Sequence, residues 1–74
     1  MTRDELWQKG IDSCMHAIST TKQQSIPLYL SFDGIPTTRG WDARPVGVYT
    51  KKVTIAQLME DMAEAEVERV RRRG

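Results

Sequence analysis

The chemistry open to a short chain is set by its nucleophiles, bases and metal ligands, and this one holds one cysteine and one histidine in 74 residues. Asp12 and His16 stand four apart, a spacing that puts both on one face of a helix, but two ligands fall short of the four that a structural zinc site takes. Cys14 and His16 are two apart and diverge around a helix, so they do not form a nucleophile and its base. Cys14 reads instead as a small apolar packing residue. Asp33 and Asp42 lie in turn-rich sequence, where aspartate is used for local backbone bonds rather than as an acid–base pair. Glycines at 34, 40 and 47 spell neither a phosphate-binding loop nor a dinucleotide fingerprint. The expectation is a protein that is not an enzyme and takes no metal and no cofactor.

Residues suited to recognition are better represented. The segment Ile35–Pro45, IPTTRGWDARP, places Trp41 between Arg39 and Arg44. A flat amphipathic ring flanked by guanidinium groups has the composition of an interface hot spot, with the arginines aimed at carboxylate or phosphate. The competing use of Trp41 is to fold back over the strands and enlarge a small core, with Asp42 pairing to a neighbouring arginine. A second candidate is the run Arg69, Arg71, Arg72 and Arg73, which could meet phosphates or an acidic surface. Glu60, Asp61, Glu64, Glu66 and Glu68 precede it, however, so the charges follow the helix dipole, and Glu68–Arg72 has the spacing of an intrahelical pair. Tyr29 and Tyr49 are expected on a shared outer strand face, either stacking bases or pairing with each other. Leu58, Met59, Met62 and Met15 supply either a partner groove or ordinary core.

These residues need elements to hold them. Thr2 followed by Glu5 is a capping box, and Trp7, Ile11, Cys14, Met15 and Ile18 then recur at spacings of three and four, which predicts a helix to about Ser19. Gly10 interrupts it, either as a break or to admit another backbone. Ile26, Leu28, Leu30 and Phe32 alternate as a half-buried strand, with Pro27 favouring its start or an edge. Asp33-Gly34 turns the chain. Val46, Val48 and Thr50, alternating with Gly47, Tyr49 and Lys51, predict an antiparallel partner strand after a long loop over 33–45. Thr54 and Gln57 repeat the capping box, and Ile55, Leu58, Met59, Met62, Ala63, Val67 and Val70 mark a second helix that ends in a basic stretch, 69–74. The expected fold is one small α+β domain over 1–74, helix-strand-strand-helix with an antiparallel strand pair.

Size limits what such a domain does alone. A chain this short buries only about 60% of its unfolded surface, and a lone strand pair is marginal. With no disulfide or zinc site to add stability, association is the remaining route, and Val67 and Val70 extend the apolar stripe far enough to outrun two strands. A homo-oligomer, most simply a homodimer, or an obligate complex is therefore expected. No signal-like or membrane-spanning apolar run occurs, which predicts a cytoplasmic protein without membrane contact. Eleven basic and ten acidic residues give a net charge of +1, too even to imply nucleic-acid binding from charge alone. The leading functional expectation is a protein-binding modulator or inhibitor that occupies a partner's working surface, of the kind often encoded by phages and other mobile elements. The alternatives are a nucleic-acid binder using Arg39, Arg44 and the C-terminal arginines, and a structural subunit of a larger assembly that docks through its helices.

Overall fold

The computed structural model describes the backbone of residues 1–73 and side chains through Arg72. Helix α1, Arg3–Thr20, starts where the Thr2 hydroxyl accepts the Glu5 N–H at 3.2 Å. Its apolar stripe buries Ile11, Cys14 and Ile18. Strand β1, Ser25–Ser31, contributes Leu28 and Leu30 to the same core. Strand β2, Pro36–Thr37, and strand β3, Ala43–Thr50, pair antiparallel with β1 on either side, giving the order β2-β1-β3. Helix α2, Ile55–Arg73, begins where Thr54 Oγ1 accepts the Gln57 N–H at 3.1 Å, and it buries Leu58 and Met62. Among the described residues this is an α+β domain with two helices and a three-stranded antiparallel sheet.

The strand pair of the sequence reading is thus one strand short, and 33–45 is not an uninterrupted loop. The Asp33-Gly34 turn closes a tight hairpin. The Ser31 N–H donates to the Ile35 carbonyl at 2.9 Å, and the Ile35 N–H donates back to Ser31 Oγ at 3.0 Å. Gly34 adopts φ +83, which favours glycine at that position. Closing the hairpin at Ser31 pushes Phe32 off the strand, so it is 73% exposed instead of extending the buried row. Pro36 is buried and sits against α1, which explains Gly10. A Cβ on Gly10 would stand 2.7 Å from the Pro36 carbonyl oxygen, so the glycine admits β2 and does not break the helix.

A second correction concerns β3. Its pairing with β1 slips between Leu28, opposite Gly47, and Tyr29, opposite Pro45, leaving Val46 as the additional residue of a bulge. Beyond the bulge the alternation reverses from the expected one: Val48 points outward at 67% exposure and Tyr49 inward at 9%. Tyr49 donates its hydroxyl to Asp61 Oδ2 at 2.9 Å, joining β3 to α2. Burial, followed by the bond to and charge of Asp61, raises the Tyr49 pKa. Tyr29 and Tyr49 therefore lie on opposite faces of the sheet, so they neither pair nor form a base-stacking platform together.

Candidate functional site

Both helices pack on one face of the sheet, around Leu28, Leu30 and Tyr49. The register assigns the other face to Ser25, Pro27, Tyr29 and Ser31 of β1, Thr37 of β2, and Ala43, Pro45, Val48 and Thr50 of β3. This row contains no charged side chain, whereas charged residues crowd the outer sides of the helices. An antiparallel sheet can leave one face to water, but such a face is ordinarily polar. Here its centre is Pro27, Tyr29, Pro45 and Val48, an apolar patch with no element of the fold lying over the Val48 end.

The connection from β2 to β3 leans on this face at Tyr29. The Arg39 N–H donates to Thr37 Oγ1 at 3.1 Å, and Gly40 lies so close to Tyr29 that a Cβ there would stand 2.9 Å from its ring. Asp42 has φ 50, a left-handed conformation that aspartate tolerates better than most residues. The loop thus carries a hydrogen bond from the Arg39 N–H to the Thr37 hydroxyl, a ring contact and a tight turn, and Trp41 at its tip is 92% exposed. Trp41 does not fold back into the core. Arg39 is exposed beside it, on the same loop.

Arg44 goes elsewhere. It is the second residue of β3, opposite Leu30 on the helix-covered face, and its Nη2 lies 2.9 Å from Glu68 Oε1 on α2. The expected grouping of Arg39, Trp41 and Arg44 is therefore divided between two faces. Between them, Phe32, Asp42, Arg44 and Arg69 help to bound a shallow groove of about 500 Å³ at the end of the sheet.

The C-terminal arginines are largely internal partners. Arg69 donates from Nη2 and Nε to Glu66 at 2.8 and 3.1 Å, and Arg3 reaches the same carboxylate at 2.7 Å. The Arg69 hydrogen bonds, with further help from the charges of Arg69 and Arg3, hold the Glu66 pKa below the ordinary range despite an opposing effect of burial. Arg72 makes a longer contact, 3.5 Å, with Glu68. Arg71 is exposed, and the Arg73 side chain lies outside the described residues. The remaining candidates divide similarly: Met62 is buried, Met15 and Met59 are half-buried against the core, and Val67 and Val70 are exposed on α2.

The sequence singled out Trp41 and Arg39 as candidates but did not group Pro27, Tyr29, Pro45 and Val48 as one surface. The available signal was the run Pro45-Val46-Gly47, since proline and glycine in a strand mark edges and bulges. A bulge there reverses the inside and outside of all that follows. No family model matches this chain, and neither a curated protein nor a solved structure matches it at a significant level.

Proposed function

We propose that this chain is a small non-enzymatic protein-binding module, a modulator or inhibitor that covers a partner's working surface with its open sheet face and the Trp41 loop. The observation that carries this reading is Trp41, 92% exposed on a loop braced against an uncharged face. A large ring held out in water has only two side-chain torsions to lose on docking, which suits a hot-spot anchor. The surface area agrees in direction. The chain exposes 5377 Å² at a mass of 8.5 kDa, roughly 700 Å² more than a compact monomer of that mass, and a standard interface covers about 800 Å² per partner. Arg39 adds directed bonds to a carboxylate or carbonyl at the rim. Arg44, Arg69 and Arg72 serve as supports, because each is already paired with a glutamate. The same pairing weakens a nucleic-acid reading built on those arginines. Cytoplasmic residence, and an origin on a phage or other mobile element as a background expectation, belong to the same proposal. Among the described residues, no helix is long and apolar enough to cross a membrane.

The test is capture from native cells with nuclease treatment, comparing tagged wild type with Trp41→Ala of unchanged circular dichroism. A stoichiometric protein held by wild type and weakened at least about 30-fold by the variant, the scale of a hot-spot loss of about 2 kcal/mol, supports the reading. Equal capture by both forms transfers the contact to the exposed α2 stripe at Val67 and Val70, as expected of a structural subunit.

A second reading is favoured by the absence of charge on the open face: it can meet its own copy without like-charge conflict, giving a homodimer. Light scattering at micromolar to millimolar concentration separates the two. A dimeric mass abolished by Val48→Lys selects self-association, and a monomeric mass throughout eliminates it.

A further inference from the structure

We propose that the end of the molecule remote from Trp41 is a contact surface for the phosphodiester backbone of nucleic acid. Lys22, Lys51 and Lys52, together with Gln23, Gln24 and the hydroxyl residues Ser25 and Thr50, line a concave surface of about 580 Å³ where β1 begins and β3 ends. At about 3.3 Å of rise per residue, the length of β1 separates this end from the Trp41 end by about 20 Å. Ser25 and Thr50 also belong to the open sheet face, so the two surfaces adjoin there, while Lys22, Lys51 and Lys52 lie outside the protein-binding surface.

Three observations carry it. The first is uncompensated charge: all four ion pairs among the described residues use arginine, none uses a lysine, and no residue lining this surface is acidic. Among the described residues, the three lysines thus present positive charge that no ion pair and no acidic lining residue offsets. The second is lining chemistry. Lysine, glutamine, serine and threonine are the side chains that contact phosphate and sugar, and the surface offers no aromatic or aliphatic residue to anchor a protein partner. The third is placement. Lys22 follows α1, whereas Lys51 and Lys52 form the turn after β3, and pairing of Ser25 with Thr50 brings the two segments together. Three cations from two separate segments thus share one concavity. Lysines supply point charge without base readout, so the contact is independent of sequence and strongly dependent on salt.

Fluorescence anisotropy with a labelled random-sequence 20-base-pair duplex, from 25 to 150 mM salt, tests this. Wild type is expected to bind at low salt with a log–log salt slope of about −2.7, corresponding to three neutralised phosphates. The combined Lys22→Ala, Lys51→Ala and Lys52→Ala variant, with unchanged circular dichroism, should lose at least about tenfold in affinity and most of that slope. Arg71→Ala with Arg72→Ala should leave both nearly intact. Absence of wild-type binding at 25 mM salt overturns the proposal, as does equal binding by the lysine variant. Competition by polyglutamate as effective as by unlabelled duplex at matched charge also overturns it, in favour of an acidic protein.

Discussion

The two faces of the sheet are built from the same strands and are similarly poor in charge, yet only one is covered. Leu28 and Leu30 are buried beneath the helices, while Pro27, Tyr29, Pro45 and Val48 line the face that the helices leave open. Two amphipathic helices each have one apolar stripe, and the chain spends both on the same side. The comparison separates residues that make the fold from residues left over for something else. Substitutions on the covered face should change stability, and those on the open face should change association.

The largest effect is expected from Leu28→Ala. Leu28 is fully buried at the centre of the core, and truncation should cost about 2–5 kcal/mol, enough to unfold much of so small a domain. Urea denaturation measures it, and a cost below 1 kcal/mol would break the distinction between faces. Gly10→Ala should follow at about 1–3 kcal/mol, because the new methyl meets the Pro36 carbonyl and either β2 or α1 must shift. An isolated helix would instead gain from that change, so the sign of the measured effect decides whether β2 is docked as described.

Alkaline pH examines the covered face without mutation. Burial pushes the Cys14 thiol up to about 11 and also raises the Tyr49 hydroxyl. Both groups hold their protons more firmly folded than unfolded. Their contribution is complete below the ordinary thiol value of about 8.5 and is lost as pH rises through the folded values. Between pH 7 and pH 10 the thiol alone should withdraw about 1–2 kcal/mol, visible as a lower urea midpoint and reduced in a Cys14→Ala background. The smallest stability effect is expected on the open face. Val48→Lys should stay within about 0.5 kcal/mol of wild type, as exposed substitutions usually do. A loss above 1 kcal/mol in a monomer would show that Val48 supports the fold.

Both helices were legible in the sequence because their caps and stripes depend on neighbours three and four residues away. The hydroxyls of Thr2 and Thr54 cap as read, although the return bonds of a full capping box are not formed among the described residues, and Ile11, Cys14, Leu58 and Met62 face the core as read. Strand β1 was legible for the same local reason, up to Ser31. What escaped was non-local. β2 is two residues long, too short to show alternation, and exists because β1 and Gly10 receive it. The bulge at Val46 exchanged the roles of Val48 and Tyr49, since one inserted residue reverses a period of two.

The candidate sites divide in the same way. Trp41 and Arg39 were identifiable by type and by their place in a turn-rich segment, but exposure of the ring was settled by the packing of Gly40 on Tyr29. Arg44 looked equivalent to Arg39 in sequence, and only the tertiary fold set Glu68 beside it, whereas Arg69–Glu66 and Arg72–Glu68 are pairs at helical spacing, the second of them legible beforehand. The sequence by itself determined the composition, the helix limits and one strand, all products of local periodicity and capping. Tertiary structure decided which face of β3 meets water, which glutamate Arg44 meets and which lysines meet, because each depends on pairing between residues distant along the chain.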